Sequence, residues 1–446
     1  MPDTEQIRAL NRFGLGARPG EALDIDPIPW LRTQVSPRAA KMANSNLETT
    51  QQLLERIVAA KTAGNSDANR RKYREQATDQ MKREVAAVVN HGLRTDHPFA
   101  ERLVRFWSNH FTVSAEGELE VRYLAGVYER EAIRPHVFGK FEDMVLATAR
   151  HPAMLVYLDQ VRSVGPKSRI GGRRKSGLNE NYARELMELH TLGVDGGYDQ
   201  GDVEELAKIL TGWTVGGLVR RTSKSKITPF RFEPSIHEPG SKRLLGKKIA
   251  ESGENEGLEA IRLLVRQPAT SRYVATKLVR HFVADDPPEK DVETIAGVFR
   301  DTGGDLAQVS LALINLRSAF TTDARKFRTP QEFILAIGRA LNVRDVPRNS
   351  LSVLRPLRQP YWGALSPAGY GDTAQDWADP DALLKRTELA RAVAQTARNP
   401  RMDIGTLADQ VVEAHDPRIL NQALASQRNA SDALALLLAS PDFQWR

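Results

Sequence analysis

Apolar residues recur along most of the chain with the 3.6-residue period of an α-helix. This pattern predicts a mostly α-helical protein with a large multi-helix body. The first two helices are expected at 48–61 and 68–91, and the second carries so many charged residues that we expect it to project from the core. Further helices are predicted at 99–110, 118–133, 138–149, 179–192, 203–211, 254–266, 271–284, 289–301, 305–316 and 329–342, and beyond 380.

Two segments interrupt the helical period. Residues 227–250 combine an alternating Phe-Arg-Phe with Pro and Gly, which predicts a small β or irregular insertion. Residues 344–380 are rich in Pro and aromatic residues and are expected to be irregular. The sequence shows neither an alternation of strands with helices nor a clear fixed-period repeat, so a parallel α/β fold and a repeat architecture are not expected.

The same pattern predicts a division of the chain into three parts. Residues 1–47 are expected to form an N-terminal segment packed on the body, and residues 48–91 a charged helical hairpin. Residues 92–446 are expected to form the main helical domain, and a further subdivision near 227–253 stays open.

Composition narrows the class of protein. The 446 residues are 41% hydrophobic, enough to bury a large core, and the absence of cysteine excludes disulfides, thiolate metal sites and a cysteine nucleophile. No window approaches eighteen consecutive apolar residues, so we expect no membrane span. The N-terminal residues carry charges where a signal peptide needs an apolar run, which predicts a cytoplasmic protein; export is the alternative if a leader was missed.

The net charge of +7 is concentrated in three basic stretches, at 166–177, 219–226 and 241–248. Such stretches can attract nucleic acid, phosphate or an acidic glycan. They contain almost no aromatic residues on which bases could stack, and no nucleic-acid-binding motif accompanies them. We therefore interpret them as solvated loops and do not expect a nucleic-acid partner.

The helix within 179–192 is unusually polar for a helix that only packs. Asn179 or Asn181 is the expected N-cap, and Gly193 is the expected stop. Arg184 can reach Glu188 one turn along the helix. At 100° per residue, Tyr182, Leu186 and Leu189 form an apolar face of the helix. A polar flank beside this face consists of Asn181, Glu185 and Glu188, and His190 lies near the opposite edge.

Three other segments place histidines beside apolar residues or cations. Each one alone is explained by a core histidine bonded to a carbonyl or by a solvated loop. Together they favour one shared polar site. The residues are Leu103, Trp107 and His110 on one helix face; Tyr273, Lys277 and His281 on another; and His237, Glu238 and Lys242 in a loop shaped by Pro and Gly.

Eight motifs follow one another along nearly the whole chain. They are LNRFGLGARPGE at 10–21, RFWSNHFTVS at 105–114, ARHPAMLVYLD at 149–159, GLNENYARELMELHTLGVDGGY at 177–198, DVEELAKILTGW at 202–213, HEPGSKRLLG at 237–246, KLVRHFVADDPP at 277–288 and LLLASPDFQ at 436–444. In this order they closely resemble the bacterial family catalogued as domain of unknown function 1800. The motif at 177–198 is the most specific of them.

The resemblance implies a largely helical fold and no assigned biochemical activity. It also implies a partner, because many members of the family are encoded beside a second, sulfatase-like family and look exported; this chain departs from them in showing no leader. The family pattern carries Lys242, Lys277 and the polar block at 179–188. It also carries four histidines, which correspond here to His110, His190, His237 and His281.

Two functions are compatible with these residues. The first is an enzyme with hydrolase-like acid–base chemistry on an anionic or polar substrate, in which Glu185 or His190 acts as base or acid and His110 assists. Substrate binding is then expected from Asn179, Asn181, Arg184, Glu188, His237, Lys242, Lys277 and His281.

A metal-dependent version of the enzyme is also open, because imidazole and carboxylate suit Zn, Mn or Fe. In a regular helix, however, Glu185 and His190 lie about 140° apart around the axis, so we rank metal-free chemistry above it. The sequence identifies no cofactor. The second function is a non-catalytic binding or assembly protein, in which the polar groups form a structural network.

Overall fold

The computed structural model describes residues 4–42, 46–64, 66–174, 177–219, 225–321, 325–347, 350–397 and 403–446. The predicted mostly α-helical fold is confirmed. The helices are α1 Thr4–Arg8, α2 Pro27–Thr33, α3 Thr50–Thr62, α4 Asp67–Arg94, α5 Pro98–His110, α6 Leu119–Tyr128, α7 Phe141–Arg150, α8 Pro152–Tyr157, α9 Gly171–Arg174, α10 Asn181–Glu185, α11 Gln200–Leu210, α12 Glu254–Val265, α13 Pro268–Phe282, α14 Glu289–Asp301, α15 Leu306–Ile314, α16 Pro330–Ala340, α17 Ala374–Trp377, α18 Pro380–Thr396, α19 Ile404–Val411, α20 Pro417–Ala425, α21 Ala430–Ala439 and α22 Pro441–Gln444.

Two small antiparallel sheets account for the strands of the described residues. β1 (Trp213–Gly216) pairs with β2 (Thr228–Phe232), and β3 (Lys242–Leu244) pairs with β4 (Lys247–Ile249). The insertion expected at 227–250 is thus confirmed, but its partner strand β1 escaped prediction. β1 follows helix α11 closely and is buried throughout, so it shows no alternation of polar and apolar residues.

Three short segments of the described chain are π-helical, at Ala9–Phe13, Glu129–Ile133 and Leu186–Thr191. The third continues α10, and there the backbone N–H of Leu192 bonds to the carbonyl of Met187 at 2.8 Å, five residues back. The separation of 140° that a regular helix gives Glu185 and His190 is therefore wrong, because the wider turn changes the rotation per residue. The 3₁₀-helical segments found among the described residues are Glu21–Asp24, Arg134–His136, Gln160–Arg162, Pro234–Ile236, Arg317–Phe320 and Ser350–Leu354.

Helices α5 and α13 pack together through aromatic rings. Both begin with a proline at the first helical position, where its missing N–H has no partner in any case. The ring centroids of Phe99 in α5 and Phe282 in α13 lie 5.8 Å apart, and Phe13 stacks on Phe282 at 5.6 Å. These contacts fix the spacing of the two helices, whose polar faces meet above them.

A second apolar cluster joins α16 to the C-terminal helices. Buried residues of this cluster include Phe333 in α16, Ala390 in α18, Leu407 in α19 and Leu437 in α21. Within the described residues, no helix is long and apolar enough to cross a membrane. The three-part division of the chain stays a prediction.

Candidate functional site: a cavity between α5 and α13

A cavity of about 360 Å³ lies between α5, α13, the start of α16 and the segment 359–376. This volume is within the range of small-molecule sites. The charged and imidazole side chains that line it are Arg102, Arg105, His110, Glu129, Lys277, Arg280, His281, Glu332, Asp372 and Asp376.

The polar wall formed by α13 follows from the spacing of its residues. Val274, Leu278 and Phe282 recur every four residues and are buried in the core. Lys277 and His281 each precede one of these residues, so they lie on the neighbouring stripe of the helix, about 100° around the axis. They therefore reach the cavity while the apolar stripe holds the helix in place. This juxtaposition was expected from the sequence.

Asp372 binds His281 directly. Its Oδ2 lies 2.8 Å from Nδ1 of His281, and because an ionised carboxylate only accepts, the imidazole donates. The Nε2 atom of His281 is buried with less than 1 Å² of surface and has no hydrogen-bond partner in the described part of the chain. Burial lowers the pKa of His281 below its usual value, and Asp372 opposes this shift. The ring is therefore neutral near pH 7, with its lone pair on Nε2.

Lys326 and Asp285 fix the position of Asp372. The ammonium of Lys326 is 1% exposed and donates to both the backbone carbonyl of Asp372 and the carboxylate of Asp285. Burial alone would raise the pKa of Asp372, but His281 and Lys326 hold it below its usual value. Asp372 is therefore a fixed, ionised partner for the imidazole.

Asn109 fastens the segment that carries Asp372. Its Nδ2 donates to the carbonyl of Tyr370 at 2.9 Å, and its Oδ1 accepts from the Tyr370 N–H at 2.8 Å. Gly369 approaches α5 so closely, with φ at +82°, that a Cβ there would lie 2.5 Å from the carbonyl oxygen of Asn109. The chain can make this turn only with glycine at that position.

His110 and His190 meet beside the cavity. Nε2 of His110 lies 3.2 Å from the backbone carbonyl oxygen of His190, so it donates, and the neutral ring keeps an unprotonated Nδ1. That Nδ1 is buried and has no partner among the described residues. Burial and Lys277 lower the pKa of His110 well below its usual value and that of His190 to about 3. Both rings are therefore neutral.

After burial, the positive charge of Lys277 is the largest cause of the lowered pKa of both His110 and His190. Within the described residues Lys277 makes no hydrogen bond or ion pair, and its ammonium lies 5.5 Å from the ring centroid of Tyr273. Burial lowers the pKa of Lys277 to about 8; Asp372 opposes this shift and Arg280 adds to it.

Glu332 forms a buried ion-pair network at another wall. It binds Arg102 and takes two further hydrogen bonds from Arg446, at 3.0 and 3.2 Å. Burial would raise the pKa of Glu332, but the two guanidinium groups hold it well below its usual value. The carboxylate of Glu332 is therefore paired with two guanidinium groups.

The predicted residues of the 179–192 helix do not reach this cavity, apart from His190 behind His110. The expected cap is wrong: helix α10 begins at Asn181 with Glu180 at the N-cap, and no side chain caps it. Asn179 accepts the N–H of Asn181 at 3.0 Å just before the helix, and Gly193 ends the helix with φ at +83°. Arg184 pairs with Glu188 at 3.3 Å and with Glu180 at 3.5 Å. Glu185 is half-buried; burial and Glu188 raise its pKa.

His237 and Lys242 form a separate buried cluster with Glu256. The carboxylate of Glu256 binds Nε2 of His237 at 3.0 Å and Nζ of Lys242 at 2.6 Å. Nδ1 of His237 lies 2.7 Å from the carbonyl of Thr211. Every polar atom named here has a partner inside the protein, so the cluster offers no unpaired group to a ligand.

Several residues that line the cavity or hold its lining residues were not identified from the sequence. Asp372, Lys326 and Glu332 lie in segments without a polar pattern that marks a site. Asn109 precedes His110 within the motif at 105–114, but it lies off the helix face shared by Leu103, Trp107 and His110, so helical spacing does not mark it. A search for pairs of loop Asp and helical His could have proposed Asp372, but nothing in the sequence ranks it above other acidic residues.

Among the described residues, no group of three His, Cys, Asp or Glu side chains is placed to hold a metal ion. Residues 175, 176 and 220–224 of the basic stretches lie outside the described part of the chain.

The fold and this site define a mostly α-helical protein with a polar internal cavity. The family model described as "Protein of unknown function (DUF1800)" matches residues 8–445, so the chain belongs to that family. Searches of the curated proteins and of the solved structures give no significant match.

Proposed function

We propose that the protein is an enzyme of the hydrolase type, in which His281 is the general base and Asp372 orients it. One observation carries the proposal. The imidazole donates from Nδ1 to a fixed carboxylate at 2.8 Å, while its Nε2 is unpartnered and its ring lines a cavity of about 360 Å³. A carboxylate that holds a histidine in one tautomer is the arrangement that acid–base catalysis uses.

The chemistry follows from the protonation states. Neutral His281 can take a proton at Nε2 from a water or a substrate hydroxyl, and the imidazolium that forms is stabilised by ionised Asp372. The oxygen that loses the proton attacks the electrophilic centre of the substrate, the bond to the leaving group breaks, and the imidazolium gives its proton to that group. Because Nε2 has less than 1 Å² of surface, the cavity wall must open slightly before a substrate reaches it.

This assignment changes which predicted residues carry the reaction. His110 stays close to the site, and His190 supports it through its backbone carbonyl. Glu185 is not among the residues that line the cavity, so we do not assign it the base. Lys277 lines the cavity with His281 and is a binding residue.

The test is a turnover screen with nitrophenyl esters, phosphate esters and glycosides. We expect His281→Gln to lower any turnover of the wild type by about 100-fold or more. His415→Gln, which removes an exposed histidine, is the matched control and should leave the rate unchanged. Equal rates for both variants, or no turnover of any substrate class, would count against the enzyme.

The alternative is a binding or assembly protein with a structural polar network, including the sulfatase-like partner that the resemblance implies. The satisfied cluster of His237, Lys242 and Glu256 favours this function for its own part of the chain. It does not account for the unpartnered groups at the cavity.

A further inference from the structure

Lys277 and Arg280 are two cations without a counterion. They lie three residues apart on α13, both are half-buried, and both line the cavity. No carboxylate oxygen of the described residues lies within 4.0 Å of a side-chain nitrogen of either residue, and Arg280 donates from Nε to the backbone carbonyl of Asp285 at 3.2 Å. Like charges at this spacing repel each other and destabilise a helix.

Each acidic residue that lines the cavity already accepts hydrogen bonds from other groups of the protein. Asp372 binds His281, and Glu332 binds two arginines. Glu129 binds Arg134 at 3.1 Å. The exposed Asp376 accepts the N–H of Thr373 as a helix cap. None of these carboxylates forms an ion pair with Lys277 or Arg280.

We propose that Lys277 and Arg280 form an oxyanion-binding subsite, and that the substrate carries a carboxylate, phosphate or sulfate group. Charges that are partly removed from water are stabilised by a counterion, and no described carboxylate forms an ion pair with either residue. The proposal rests on the proposed function only in taking the cavity as the substrate site. It deepens that function by naming the charged group that the substrate presents.

The nearest alternatives inside the protein do not replace a counterion. The ring of Tyr273, 5.5 Å from the ammonium of Lys277, is a weak electrostatic partner. Asp372 attracts Lys277 but lies beyond ion-pair distance and already binds His281 and Lys326. An anion between Lys277 and Arg280 would relieve their repulsion and receive hydrogen bonds from both.

The test is titration calorimetry of the full chain with sodium phosphate, sulfate and acetate at constant ionic strength. We expect the wild type to bind at least one of them, and Lys277→Met to weaken that binding at least tenfold. Lys277→Arg should restore most of it. Lys290→Met removes one exposed lysine of α14 and is the matched control. The three salts also separate a carboxylate site from a phosphate or sulfate site.

Two results would overturn the subsite. One is no binding of any of the three anions to the wild type; the other is equal binding by Lys277→Met and Lys290→Met, which indicates non-specific attraction. The His281→Gln variant distinguishes the two proposals. If it binds the anion normally but fails in turnover, both stand. If it binds the anion and keeps full turnover, the catalytic assignment fails and the subsite remains.

Discussion

Asp372 accepts a hydrogen bond of 2.8 Å from His281 although the two residues are 91 positions apart in the chain. The histidine belongs to the rigid helix α13, whereas the carboxylate belongs to a segment without helix that returns across the cavity. The pair therefore combines a fixed imidazole with a partner whose position depends on tertiary contacts.

The first prediction concerns the protonation of His281. Because Asp372 raises the pKa of the ring against the larger effect of burial, Asp372→Ala should lower that pKa further. A pH titration of ¹⁵N-labelled imidazoles by NMR measures this change and should show the Nδ1–H tautomer in the wild type. An unchanged pKa, or an Nε2–H tautomer in the wild type, contradicts the pair.

The second prediction separates steric fit from backbone conformation at Gly369. Gly20→Ala is the control, since Gly20 has φ at +83° and open space around it, and it should cost about 1–2 kcal/mol of unfolding free energy. Gly369→Ala should cost more, because its Cβ would collide with Asn109. Denaturant unfolding measures both. Faster hydrogen exchange at 363–373 is expected in Gly369→Ala alone.

The third prediction treats the cluster around Glu256 as structural. Glu256→Gln should lower the unfolding free energy by about 3–5 kcal/mol, because it leaves buried Lys242 without its carboxylate. Anion binding in the cavity should stay within a factor of two or so of the wild type. A stable variant with lost anion binding would show that the cluster belongs to the site.

The same cluster has a defined pH dependence. Burial alone would raise the pKa of Glu256, but His237 and Lys242 lower it to about 2. A carboxylate with a lowered folded-state pKa stabilises the protein above its unfolded value, and this stability is lost as the pH falls from about 4.5 towards about 2. Acid unfolding of the wild type should therefore steepen in this window, and Glu256→Gln should lack that component.

The fourth prediction concerns anion binding and pH. Protonated Lys277 holds the anion, and its pKa of about 8 means that affinity falls as the pH rises through that value, with the midpoint moved upward by the bound anion. The titratable or charged groups around it are Tyr273, Arg280 and His281 of α13, His110, His190 and Asp372. Calorimetry from pH 6 to 10 checks the slope, and Lys277→Arg should abolish it. This pH range extends about two units on each side of the pKa of Lys277.

The helices were predictable because their signal is local. The helix expected at 289–301 is observed as Glu289–Asp301, and the others differ by a few residues at their ends. The stripe of Tyr273, Lys277 and His281 could be recognised for the same reason. The exception is Leu186–Thr191, where the π-helical turn could not be read from residue types, since the same apolar spacing fits a regular helix.

The sequence by itself determined the helical architecture, the two irregular segments, the family and the set of polar residues worth testing. Only the tertiary structure decided how that set is divided. It places Lys277 and His281 at one cavity with His110, leaves Glu185 outside it, and gives His237 and Lys242 a carboxylate of their own. It also places Asp372 beside His281, although Asp372 lies in a loop that has no hydrophobic periodicity. Helical periodicity reports which face of a helix is buried, whereas the charge that meets each buried group comes from chain segments tens to hundreds of residues away.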